Sequence, residues 1–187
     1  MNKAGLIIIS LCLVIFAVGC TATPAEPRVR AALSSDSQKA IEVFKAKDPA
    51  IQKFFDSSYG YAVLPKIFKG AFWVGGAHGK GIVYERGTKI GYCNMSQATL
   101  GFSFGGEFFR EIIFFQTRQD LDKFRTSEFT FSAQATAVAL TTGAAAKASY
   151  NNGMAVFIAH DTGLMVDASL GGQKFYFDTV PIITQRN

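Results

Sequence analysis

The chain has 187 residues, of which 49% are apolar and 18 are phenylalanine, and its formal net charge is +5. This is enough apolar material for one packed domain, and it excludes a disordered chain. The charge suits an anionic surface, but no basic stripe or stacking motif accompanies it, so nucleic-acid binding is not predicted.

The amino-terminal segment has the features of a signal peptide over residues 1–19. Lys3 precedes an unbroken apolar run that ends before Cys20 and is short for a membrane-spanning helix, which needs about 20 residues. The sequence Ala17-Val18-Gly19-Cys20 resembles a bacterial lipobox, which implies that Cys20 carries acyl chains. A plain secretory signal and an uncleaved anchor are the alternatives. Because Thr21 rather than aspartate follows, the resemblance implies the outer membrane, at its periplasmic face.

Residues 20–34 contain Pro24 and Pro27 and little apolar material, which predicts a lipidated amino terminus and a flexible tether. The folded domain is predicted over residues 35–178, followed by a tail over 179–187. Helical spacing of apolar residues begins after Ser35, and Asp48-Pro49 predicts the start of a second helix. The apolar face of these helices either covers a sheet or lies on a membrane.

From Tyr59 onward, apolar segments alternate with glycine-bearing links, which predicts short strands joined by tight turns. Turns are expected at residues 85–87, 105–107 and 160–163, and a short helix at 117–124. Residues 108–115 should form a central strand, and Cys93 should lie in the core. Trp73 is expected in the core as well, with an interfacial anchor as the alternative, because its indole suits both places. The predicted fold is α+β: a mostly antiparallel β-sandwich or barrel-like sheet with N-terminal amphipathic helices and one short mid-chain helix.

Four segments in order resemble the SYLF family: AVLPKIFKGAFWVGGAHGKG (62–81), IGYCNMSQATLGFSFGGE (90–107), IIFFQTRQDLDKF (112–124) and VFIAHDTGLMVDASLGGQKF (156–175). The resemblance implies binding of anionic phospholipid through an amphipathic N-terminal helix and nearby basic residues. The phosphoinositide ligands and the actin binding of eukaryotic members are not implied for this chain.

The candidate lipid-binding residues are basic and lie mostly in the glycine-rich stretch: Lys66, Lys69, Lys80, His78 and, on the second helix, Lys53. Ammonium groups beside glycine N–H dipoles can bind an anionic headgroup. GGAHGKG is not a P-loop, because Val74 stands where the first glycine is needed and Gly81 replaces the Ser or Thr that would hold Mg²⁺.

Catalytic motifs are weak. A single Asp161-Thr162-Gly163 does not make the aspartate pair of an aspartic protease. The two histidines, His78 and His160, have no nucleophile motif beside them, and they are too few for a metal site. We therefore expect no enzymatic activity, no metal and no cofactor.

The sequence thus predicts a membrane-anchored bacterial lipoprotein whose domain binds anionic phospholipid at a membrane surface. Two alternatives stay open. One is a non-enzymatic structural or protein-interaction module of the cell envelope, with an unidentified protein partner. The other is a carrier of a small apolar ligand.

Overall fold

The computed structural model describes residues 26–126, 130–131 and 137–179. They form helices packed against a largely antiparallel sheet, which confirms the predicted α+β fold class. The helices are α1 (Pro27–Lys47), α2 (Gln52–Ser57), α3 (Arg118–Arg125) and α4 (Ala144–Lys147), with a 3-10 turn at Pro49–Ile51. The strands are β1 (Gly60–Glu85), β2 (Thr88–Phe115), β3 (Thr130–Phe131), β4 (Ala137–Ala139) and β5 (Met154–Thr179).

Three very long strands carry the sheet. β1, β2 and β5 have 26, 28 and 26 residues, and β2 pairs antiparallel with the other two along most of its length. The short β3 and β4 add to β5, β4 in the parallel direction. The hairpin between β1 and β2 turns at Arg86 and Gly87, both with positive φ, as predicted. The prediction of a central strand over residues 108–115 is confirmed.

Two predicted turns are wrong. Residues 105–107 lie within β2 and residues 160–163 within β5, and pairing continues on both sides of each. Gly105 has a φ of 118° and bends β2 without ending it. A register shift opposite Phe108 and Phe109 similarly bends β5 near His160. Glycine-rich links therefore bend continuous strands here, where the sequence pattern predicted short strands with tight turns.

The sheet folds back so that the two halves of β1 touch. The Tyr59 carbonyl accepts a hydrogen bond from the Arg86 amide at 3.0 Å, which joins the two ends of the strand. A Cβ added to Gly81 would stand 2.5 Å from the Val63 carbonyl oxygen, and one added to Gly79 would stand 2.6 Å from the Ile67 side chain. The glycine-rich stretch thus allows close backbone approach, as the sequence predicts.

Two apolar clusters result. The inner cluster lies between the halves of the sheet and includes Leu64, Met95, Ile113 and Phe115, with Leu121 and Phe124 of α3 packed against it. The buried Cys93 belongs to this cluster, as predicted. The other cluster lies between the sheet and α1 and α2, where it buries Ala40, Ile41, Phe44, Ile51 and Phe54. The apolar face of the N-terminal helices therefore covers the sheet, which is one of the two arrangements that the sequence predicts.

The helix boundaries differ from the prediction at one end. α1 begins at Pro27, so the part of the expected tether from residue 27 to 34 is helical. Proline suits the first turn of a helix because its missing N–H would have no intrahelical partner there. Asp48 caps the following 3-10 turn as expected, accepting from the Ala50 amide. The short mid-chain helix is confirmed as α3, with a capping box between Thr117 and Asp120.

Candidate functional site

The folded sheet has one end where its long strands bend. In β1 the register to β2 shifts between Phe72 and Val74, and Trp73 between them has a φ of 65°. A bulky residue rarely adopts this left-handed conformation, because its side chain crowds the backbone. On β2, Gly105 bends the chain directly opposite Ala71.

Large apolar side chains are exposed around this bend. Leu100 is 70% exposed, Phe72 67%, Val74 65%, Trp73 62%, Phe104 59% and Phe68 52%. We call these six residues the apolar end. The rings of Phe72 and Phe104 pair across the strands with centroids 5.7 Å apart. The prediction that Trp73 lies in the core is wrong, because the bend turns this part of β1 out of the packed interior.

Basic side chains follow the apolar end on both arms of β1, that is, on the residues before and after the bend at Trp73. Lys66 precedes Phe68 in the exposed row of the first arm, and His78 and Lys80 are exposed on the second arm. Between residues 57 and 84 the sequence has no aspartate or glutamate. The Lys66 ammonium lies over the Phe108 ring, 4.6 Å from its centroid. The exposed rows of β1 therefore pass from apolar to cationic with distance from the bend.

The other predicted lipid-binding residues lie elsewhere. Lys69 is 5% exposed and shares the inner row of β1 with Ile67, so it does not join the exposed group. Lys53 donates to the carbonyls of Ala146 (2.9 Å) and Ala148 (3.1 Å), which ties α2 to α4. Cys20 lies outside the described residues. Of the predicted set, Lys66, His78 and Lys80 flank the bend.

A polar pair spans the inner cluster and was not anticipated from the sequence. Glu111 is fully buried, and its Oε2 accepts from Gln173 Nε2 at 3.0 Å. Glu111 Oε1 and Gln173 Oε1 have no hydrogen-bond partner among the described residues. Burial raises the pKa of Glu111 to about 7, against the lowering effect of the Gln173 bond. Burial and the Glu111 charge also raise the pKa of the Cys93 thiol.

The residues considered for catalysis have ordinary structural partners. Asp161 forms an ion pair with Arg110, and His160 Nδ1 lies 3.1 Å from Glu107 Oε2. In the described part of the chain, no three His, Cys, Asp or Glu side chains are grouped so as to hold a metal ion. None of the described helices is long and apolar enough to cross a membrane.

One signal for the apolar end was present in the sequence. Phe72, Trp73 and Val74 are consecutive apolar residues between glycines, and a half-buried strand would alternate apolar with polar. Such a run indicates either a strand buried on both faces or an exposed patch. The buried polar pair also had a signal in the sequence, because Glu111 interrupts the apolar run of a strand that is expected to be central.

Fold and site define the class of protein: an α+β domain built on three long bent strands, with exposed aromatic residues at the bend. Residues 96–180 match the family described as "Ysc84: Las17-binding protein actin regulator", whose domain is the SYLF domain. The chain is also 30% identical over 150 residues to "Beta cell expansion factor A" of Aeromonas veronii, an alignment covering 80% of this chain and 57% of that protein. The chain thus spans little more than half the length of this relative. The predicted resemblance to the SYLF family is thereby confirmed over residues 96–180.

Proposed function

We propose that this protein is a membrane-anchored bacterial lipoprotein whose SYLF domain binds anionic phospholipid at a membrane surface. Cys20 would carry the acyl anchor, and the outer membrane at its periplasmic face is the proposed location. The proposed role is binding without catalysis. The family match and the surface of the domain both support the proposal that this chain binds lipid.

The observation that carries the proposal is the distribution of charge on β1. Lys66, His78 and Lys80 are exposed on the two arms that lead to the bend, and no acidic residue occurs from 57 to 84. Near an anionic membrane surface, each exposed lysine is attracted by about 1 kcal/mol. This attraction falls off within a Debye length, which becomes shorter as the salt concentration rises. Both arms present the same sign of charge, so they can contact one surface together.

The test is co-sedimentation with vesicles of phosphatidylglycerol and phosphatidylcholine, compared with phosphatidylcholine alone, at low and high salt. The protein used should begin at Thr21, which omits the acyl anchor and retains every residue that the structure describes. We expect salt-sensitive binding to the anionic vesicles.

Reversing two charges, Lys66→Glu with Lys80→Glu, should weaken this binding at least about tenfold at low salt. Lys123→Glu with Lys147→Glu is the matched control, because both lysines are exposed and lie on α3 and α4. Binding to neither type of vesicle, or equal losses in both double variants, would contradict the proposal.

A second candidate is a protein-interaction module of the cell envelope, which the exposed apolar end also favours. For this candidate the vesicle assays should show no binding. A protein partner would then be the next object of search.

A further inference from the structure

We propose that the apolar end enters the hydrocarbon region of the bilayer, so that the domain binds by insertion of its bent strands as well as by charge. This inference rests on the proposed function and deepens it, because it names the part of the membrane that is contacted and the residues that contact it. The residues are Phe72, Trp73, Val74, Leu100 and Phe104, with Phe68 at the margin.

The side chains at this end have a strong reason to leave water. Each is more than half exposed, and they are contiguous: Phe72 is in register with Phe104, and Val74 with Leu100. Soluble monomers rarely expose a contiguous group of large apolar residues without a partner. Transfer of such side chains from water into an apolar medium is favourable in proportion to the area removed from water.

The backbone at the bend is suited to a medium without water. β1 pairs with β2 on both sides of the register shift, Phe72 with Phe104 and Val74 with Leu100. β2 and β5 pair without a shift across the same stretch, from Leu100 with Leu170 to Phe104 with Val166. An unpaired N–H or C=O is costly in hydrocarbon, and an irregular loop would carry many of them. Paired strands at the bend bring fewer such groups to the bilayer than a loop of the same length.

The order of residues along the strands matches the layers of a bilayer. The apolar end would meet the acyl chains, and Trp73 and the phenylalanine rings suit the boundary between hydrocarbon and headgroups. Lys66, His78 and Lys80 stand farther from the bend on the exposed rows, toward the headgroups. Long lysine side chains can extend their ammonium groups to that level.

Charge also argues for a bilayer over a second copy of the chain. If two copies met symmetrically at their apolar ends, each would bring the same lysine-bearing, acid-free stretch of β1 to the other. Like charges brought together in this way repel, whereas an anionic bilayer attracts both arms. The apolar end and its cationic margins therefore fit one occupant, a lipid surface.

Trp73 is the only tryptophan of the chain, so its fluorescence reports on the apolar end alone. The experiment adds anionic vesicles to the protein that begins at Thr21 and follows Trp73 emission, with lipids brominated at shallow and at deep acyl positions. We expect a blue shift on binding and quenching by the shallow bromolipids. Co-sedimentation of the same samples measures binding independently.

A double variant, Phe72→Ser with Phe104→Ser, should bind vesicles at least about tenfold more weakly and lose the blue shift. The matched control is Val29→Ser on α1, which removes another exposed apolar side chain and should change neither quantity. Circular dichroism checks that each variant is folded.

Two outcomes separate this inference from the proposed function. Protein that sediments with vesicles while Trp73 emission is unshifted and unquenched would overturn insertion and leave charge-driven surface binding intact. Absence of sedimentation would overturn the proposed function itself.

Discussion

Replacing Glu111 by glutamine should remove a pH dependence from the stability of the domain. Glu111 lies on β2 inside the inner cluster, and Gln173 of β5 is its hydrogen-bond partner there. When ionised, the carboxylate leaves Oε1 without a partner in an apolar interior. When protonated, it can donate from Oε1 to the unpaired Gln173 Oε1, so that acid and amide share two hydrogen bonds. A glutamine at position 111 can form the same pair at every pH.

The size of the pH-dependent change in the free energy of unfolding follows from the pKa of Glu111. Burial raises this pKa from an ordinary value of 4.5 to about 7. Because the folded state holds this proton more tightly than the unfolded state, stability is greatest below pH 4.5 and falls as pH rises through 7. At about 1.4 kcal/mol per pH unit, the loss is about 3 kcal/mol between pH 4 and pH 8.5. Because Glu111 is fully buried, screening by solvent has little effect on this loss of stability.

The assay is urea unfolding across this pH range, followed by far-ultraviolet circular dichroism because the exposed Trp73 is a poor probe of folding. We expect Glu111→Gln to match the parent near pH 4 and to exceed its free energy of unfolding by about 3 kcal/mol near pH 8.5. Glu42→Gln on α1 makes the same chemical change at an exposed site and should follow the parent. A Glu111→Gln profile parallel to that of the parent would refute the reasoning.

The remaining predictions concern packing and capping. Gly81→Ala should destabilise the domain by about 1–3 kcal/mol, because its Cβ would stand 2.5 Å from the Val63 carbonyl oxygen. Gly76→Ala, where the nearest atom would be 3.6 Å away, should change the free energy of unfolding by less than about 0.5 kcal/mol; equal effects of the two substitutions would contradict the close approach of the β1 halves. Thr117→Ala should cost about 1 kcal/mol by removing the N-cap of α3, a fall of about 2–4 °C in the melting temperature. An unchanged melting temperature would mean that α3 does not need its cap.

Much of the fold could be predicted from local patterns. The cap at Asp48, the hairpin at Arg86-Gly87 and the helix from Arg118 each depend on a few neighbouring residues, and each is present. The length of the strands could not be predicted, because a glycine such as Gly105 can end a strand or bend it. Which one occurs depends on whether the partner strands continue, and that is set by residues far away in the sequence.

The candidate site was predicted in part. Exposure of Lys66 and Lys80 follows from alternation along β1, but the same alternation places Lys69 on the inner row. The apolar end was missed because a short apolar run has the same composition whether it is buried or exposed. Its exposure is decided by the bend at Trp73, where a left-handed residue and a register shift turn β1 outward.

The most direct test of lipid binding by this domain is a titration with anionic vesicles, followed by Trp73 emission and co-sedimentation at low and high salt. We expect saturable sedimentation and a blue shift, both weakened by salt and by Lys66→Glu with Lys80→Glu. Protein that stays in the supernatant with unchanged Trp73 emission at every vesicle concentration would contradict lipid binding.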